Sequence, residues 1–205
     1  MALSCANLSF REVTQQQVVE VIRDELPGHD AFVSPKLNGW VTVYDADADA
    51  TGEDIIPPYA RIAERVCRRH SCPGLMLAYL RGMFCYCLFG RAGELVDASI
   101  PPTAEPDVGS TREQLQGLLG RPEAIAEVFA MGITREQVRQ ALTDPSKYFF
   151  NLCRLLDLKN SHYSYGSLFK EVDEPYHLDP RREEWGIVGW GEFVHVGGPD
   201  PRWRG

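Results

Sequence analysis

Residues Leu75 to Ser99 read LMLAYLRGMFCYCLFGRAGELVDAS, three short β-forming runs parted by Arg81-Gly82 and by Gly90-Arg91-Ala92-Gly93. In the middle run Met83, Cys85, Cys87 and Phe89 share one face and Phe84, Tyr86 and Leu88 the other, because strand side chains alternate. Both faces are apolar. Such a strand has to lie inside a sheet that is covered on both sides. A hydrophobic content of 44% over 205 residues is enough to build such a core.

The segments before it supply the covering elements. Leu8 to Val13 suits a strand. Thr14 and Gln17 then form a capping box ahead of an apolar face of Val18, Val19, Val21, Ile22 and Leu26, and Pro27-Gly28 stops that helix. Ala31 to Pro35 and Trp40 to Tyr44 suit two strands joined at Asn38-Gly39, a hairpin-turn dipeptide. Tyr59, Ile62, Ala63, Val66 and Cys67 fall at amphipathic helical spacing after Pro57. The order β-α-β-β-α-β-β-β begins with the six elements of a ferredoxin-like unit. The fold class expected is therefore α+β: a ferredoxin-like antiparallel sheet with two helices, extended by a β-hairpin and followed by a helical segment and a C-terminal strand.

Three regions divide the chain on this reading. Residues 1–103 form the sheet unit, 108–160 a helical segment and 161–197 an aromatic and acidic tail that packs back, giving one compact domain overall. Ile100 to Val108, with its prolines, is the connector. Ser110 with Glu113 and Thr134 with Gln137 are further capping boxes, and Pro122 and Pro145 open two more helices. Trp185 to Val196 suits one or two strands.

Three segments carry a resemblance. Phe32-Val-Ser-Pro-Lys-Leu-Asn-Gly-Trp-Val41, Tyr86-Cys-Leu-Phe-Gly-Arg-Ala-Gly-Glu-Leu-Val-Asp97, and the tail with Ser164-Tyr-Gly-Ser-Leu168 and Gly189-Trp-Gly-Glu-Phe-Val-His195 are similar to a family of uncharacterised bacterial cytosolic proteins. The matching residues belong to strands and turns. The resemblance thus implies a fold and no activity.

The formal net charge is −8. It disfavours broad binding to nucleic acid or anionic membrane and leaves a protein partner open. Residues 1–107 hold nine Lys or Arg against fifteen Asp or Glu, so the acidic excess sits on the sheet half and could steer a basic partner. No apolar run approaches the roughly 20 residues of a membrane span, and the N-terminus lacks the pattern of a secretory signal. A cytoplasmic location is expected. Cys5, Cys67, Cys72, Cys85, Cys87 and Cys153 then read as reduced core thiols.

Four patterns bear on chemistry. Ile125 to Leu142 resembles a helix-turn-helix, with Gly132 at the turn and Thr134 capping the second helix. It would turn Arg135, Gln137, Arg139 and Gln140 to a DNA major groove. Val128 stands where that motif commonly has a small residue, and residues 108–160 hold seven basic against six acidic residues, a weak basic surface. An ordinary helical hairpin joined through Gly132-Ile133-Thr134 gives the same pattern and is preferred. Asp45-Ala-Asp-Ala-Asp-Ala-Thr-Gly52 alternates carboxylates like a calcium loop, but Ala50 and Ile56 stand where the EF-hand needs Gly and Glu, so a solvated acidic loop is preferred. Cys67, His70 and Cys72, with Cys85 and Cys87, contain zinc-ligand types at spacings that do not build a closed site. Last, His29, His70, His162, His177 and His195 show no carboxylate at a diagnostic spacing, and no nucleophile, phosphate-loop or dinucleotide motif is present. No catalytic, cofactor or metal residue is assigned. The function expected is a non-enzymatic protein-interaction module of adaptor or immunity type. The alternatives are a helix-turn-helix regulator and an unrecognised small-molecule enzyme.

Overall fold

The Leu75–Ser99 region folds as three consecutive strands, and its middle run lies between two neighbours. The computed structural model describes residues 5–46, 56–80, 83–99, 120–144, 147–159 and 192–197. In chain order these form β1 (Cys5–Arg11), α1 (Gln15–Glu25), β2 (Ala31–Val33), β3 (Trp40–Asp45), α2 (Ile56–His70), β4 (Gly74–Leu80), β5 (Met83–Phe89), β6 (Leu95–Ser99), α3 (Ala124–Phe129), α4 (Arg135–Ala141), α5 (Tyr148–Leu155) and β7 (Val194–Val196). The Asp47–Asp54 carboxylates, the Ser110 capping box, the connector and most of the tail lie outside the described residues.

The strands make one seven-stranded sheet in the order β6-β5-β4-β1-β3-β2-β7. Every pairing is antiparallel. The sheet is larger than the expected unit with its hairpin. β7 pairs Val194, His195 and Val196 with Val33, Phe32 and Ala31 and extends the edge opposite β6. β1 starts and ends earlier than Leu8–Val13: Glu12 adopts φ 61, which breaks the extended backbone after Arg11.

Local chemistry fixes the joints. Thr14 caps α1 and Thr134 caps α4, each with the reciprocal bond from the Gln three residues on. Between β2 and β3, Asn38 and Gly39 take φ 50 and 86, and Leu37 and Trp40 exchange two backbone hydrogen bonds of 2.8 Å. Positive φ at both turn residues suits the twist of a two-residue hairpin, hence Asn-Gly. A Cβ at Gly39 would also lie 2.8 Å from Arg11 Nη2.

Two cores sandwich the sheet. On one face α1 and α2 bring Val18, Ile22, Ile62 and Val66 onto Leu8, Phe10, Val43, Met76 and Cys87. On the other, α3, α4 and α5 bring Ile125, Phe129, Val138, Phe149 and Leu152 onto Trp40, Leu75, Leu77, Tyr86 and Leu88. β5 therefore contributes to both, as its two apolar faces require. Two polar bonds pin the second cover. Asp97, buried on β6, accepts from Tyr86 Oη at 2.5 Å and from the Arg121 amide at 2.7 Å, just ahead of α3. Trp40 Nε1 donates to the Leu156 carbonyl at 2.9 Å, just beyond α5. On the first face Tyr59 Oη donates to the Ala6 carbonyl at 2.8 Å and accepts from the Asp45 amide at 3.3 Å, tying α2 to β1 and β3.

All six cysteines are buried and free. Burial pushes the Cys85 thiol up to about 12 and drives Cys87 further in the same direction, with Cys85 beside it adding to the effect. Thiols in the unfolded chain lose protons above an ordinary value of 9.0, whereas these two stay protonated in the fold. The stability this confers is complete below pH 9 and is lost as pH rises towards about 12. Each thiol should cost about 1.4 kcal/mol per pH unit across that interval. Urea unfolding of the wild type between pH 8 and pH 10.5 should show a steeper loss than the Cys85→Ala/Cys87→Ala variant. Parallel losses in the two proteins would contradict this assignment.

Candidate functional site

The described structure gives two histidines carboxylate partners that their sequence positions do not suggest. His29 Nδ1 lies 2.8 Å from Asp45 Oδ2, and both residues are buried. His195 Nε2 lies 2.5 Å from Asp30 Oδ1. The sheet creates both pairs. His29 and Asp30 lead into β2, Asp45 ends β3 opposite Ala31, and His195 stands in β7 opposite Phe32. The partners are 16 and 165 residues apart in the chain.

Further contacts close the cluster. The His195 ring lies 4.8 Å from that of Phe32. The Ala46 amide donates to the Asp30 carbonyl at 2.8 Å. Gln15 Nε2, at the start of α1, donates to the Glu192 carbonyl at 2.6 Å and to the Val33 carbonyl at 3.0 Å, so one side chain holds both β2 and the entry to β7. Gly197 has φ 105, and a Cβ there would lie 2.0 Å from the His29 carbonyl oxygen. The backbones at this corner meet too closely for any side chain.

A carboxylate on Nδ1 orients an imidazole and leaves Nε2 to act, which is how a general base is held. Among the described residues no Ser, Thr or Cys side chain bonds to His29 or His195. Cys5 and Cys153 belong to the second-face core. What the cluster visibly does is fasten the outer strand of the sheet.

The helix-turn-helix candidates are all exposed and all engaged. Arg135 pairs with Glu127 at 2.8 Å. Arg139 reaches Glu123 at 3.4 Å and Glu136 at 3.6 Å. Gln137 completes the cap, accepting from the Thr134 amide at 2.8 Å, and Gln140 Nε2 donates to Glu136 at 3.4 Å. The turn between the helices passes through Ala130 at φ 47 and Gly132 at φ 71.

The Cys67-His70-Cys72 candidates separate in role. Cys67 donates to Cys72, which with burial holds the Cys67 thiol above its ordinary range; the same bond, then Arg91, holds Cys72 below it. His70 Nε2 is buried without a hydrogen-bond partner among the described residues. Among these residues no three of His, Cys, Asp and Glu converge to hold a metal ion. Of the calcium-loop candidates only Asp45 is described, and its carboxylate faces His29.

An aromatic surface completes the picture. Phe150 on α5 is 47% exposed, the one exposed large hydrophobic residue among those described. Its ring stands edge-on to Phe149 at 5.5 Å and 6.4 Å from Tyr79, while Tyr148 meets Phe84 at 6.1 Å. Phe149 enters the second-face core, and Phe150, about 100° further round α5, stays outside it.

No family model, no curated protein and no solved structure matches the chain. No helix among the described residues is long and apolar enough to cross a membrane.

The two His–Asp pairs should respond differently to disruption. Asp45→Ala strands a buried His29 and should cost about 3 kcal/mol in urea unfolding. The His195 side chain is buried too, but Asp30 is 35% exposed, so water can take its place at the ring and Asp30→Ala should leave global stability within about 1 kcal/mol. It should instead speed amide hydrogen exchange in β7 selectively. Equal losses of global stability from both variants would refute the distinction.

Proposed function

We propose that this protein is a non-enzymatic protein-interaction module, of the adaptor or immunity type, built on a ferredoxin-like βαββαβ unit. The strand order β4-β1-β3-β2 at the centre of the sheet supports that description of the unit. The observation that carries the functional reading is the exposed Phe150 among Tyr79, Phe84 and Tyr148. Large aromatic side chains left partly in water beside a packed core are what protein interfaces use as anchors. Adjacent exposed Lys147 and Arg154 supply a polar rim.

The regulator reading draws less support. Arg135, Gln137, Arg139 and Gln140 already satisfy carboxylates or a helix cap, and each would have to surrender that bond to reach a base edge. The small-molecule enzyme reading has the buried His29–Asp45 pair in its favour. A base so deeply placed needs a route for substrate.

The test is capture from nuclease-treated lysate of its native cells, using the tagged full chain and its Phe150→Glu variant. The wild type should retain a stoichiometric protein that survives nuclease, and the variant should retain at least about tenfold less of it. Phe150 is exposed, so the variant should unfold at the wild-type temperature. Recovery of nucleic acid, or of a partner lost on nuclease treatment, would overturn the proposal.

A further inference from the structure

Helix α2 concentrates positive charge on an otherwise acidic protein. Arg61, Arg65, Arg68 and Arg69 are all exposed on it, four of the nine basic residues in positions 1–107. At 100° per residue they fall within one arc of about 100°, opposite the buried Tyr59, Val66 and Cys67. Arg69 is held at one side by Glu25 at 2.9 Å and Asp24 at 3.5 Å, and Arg68 by Glu64 on its own helix. Arg61 and Arg65, at the crest, make no ion pair or hydrogen bond among the described residues. An amphipathic helix needs its polar face only to be soluble, and mixed charges serve that purpose better than four arginines.

We infer that the arginine crest of α2 is a docking surface for a protein partner presenting an acidic helix, with carboxylates one turn apart set against Arg61 and Arg65. The spacing suits such a partner. Arg61 and Arg65 are separated by about 6 Å of helix rise, the separation of two glutamates at i and i+4 on a helix laid alongside. The flanks select against a continuous polyanion. Asp24 and Glu25 border the crest along α1, and Glu64 borders it on the other side, where the β5–β6 turn packs against its backbone. A nucleic-acid backbone crossing the crest would meet these carboxylates within a Debye length of about 8 Å. A protein helix can place its carboxylates on the crest and neutral or basic residues over the flanks. Arginine is suited to this task because its planar fork takes a carboxylate with two bonds.

The inference rests on the protein-interaction reading but uses a surface separate from Phe150. The probe is a labelled alanine-based helix of about 20 residues carrying Glu at i, i+4, i+7 and i+11, with the Gln version and an oligouridine as comparators. Fluorescence anisotropy with the full chain should show binding of the Glu helix that weakens as salt rises. Binding should fall about tenfold in Arg61→Glu/Arg65→Glu and less in Arg61→Lys/Arg65→Lys. Should the charge reversal unfold the protein, Arg61→Gln/Arg65→Gln is expected to fold and to show the same direction of change. Phe150→Glu should leave helix binding unchanged. Equal binding of the Glu and Gln helices, or binding untouched by the arginine variants, overturns the inference. So does tighter binding of oligouridine than of the Glu helix. Arginine-dependent self-association by sedimentation without helix binding also overturns it, since the occupant is then a second copy. If these arms fail while the Phe150-dependent partner is still captured, this inference falls and the broader function stands.

Discussion

Strands β4 and β5 carry apolar side chains on both faces, and the rest of the architecture answers that constraint. Burying one leucine- or phenylalanine-sized side chain is worth about 1.5–3 kcal/mol, so Leu75, Leu77, Tyr86 and Leu88 could not be left in water on one face. The helices α3 to α5 are short, from six to eight residues each, and helices of that length do not persist alone. Sheet and cover therefore depend on each other. Direction comes from two polar bonds, one of them fully buried. Asp97 receives the chain at Arg121 as it enters the cover, and Trp40 takes hold of it at Leu156 as it leaves. Apolar contact supplies most of the free energy there. The hydrogen bonds select one placement of the cover, because leaving either carbonyl or carboxylate unsatisfied costs about 1–3 kcal/mol.

The same division of labour holds at the far edge of the sheet. β7 is three residues long and adds only Val196, with partly buried Val194 beside it, to the first-face core. Its position is specified by polar contacts: His195 on Asp30, Gln15 on the Glu192 carbonyl, and the close backbone approach at Gly197. β7 covers the outer backbone row of β2 and, among the described residues, leaves only its own three-residue row open at this edge, a short target for unwanted pairing. The aromatic group around Phe150 and the arginine crest of α2 belong to opposite covers of one sheet, so the two proposed docking surfaces need not compete for space.

Much of this was written in local sequence. The capping boxes at Thr14–Gln17 and Thr134–Gln137, the Asn38-Gly39 turn and the two-faced β5 run each act within a few residues, and each formed where read. Other features depend on chain ends brought together. β7 falls within the Trp185–Val196 run that suits one or two strands, but no local pattern in three residues says that it pairs with β2. For the same reason the His29–Asp45 and His195–Asp30 pairs escaped a search by spacing; their partners meet only after the sheet is assembled. One further signal lies in the sequence: the i, i+4, i+7, i+8 arginines of α2 run along the face opposite its apolar one. The hydrophobic positions of that helix announced its core face, and the opposite face was the informative one for function.

The mutual dependence of sheet and helical cover is tested most directly by native-state hydrogen exchange on the full chain. Amides in β4, β5 and α5 should exchange at one common free energy equal to that of global unfolding, because the second face of the sheet cannot persist without its cover. Exchange of α5 at a free energy several kcal/mol below that of β4 and β5 would contradict the account. It would mean that the sheet stands with its second face open.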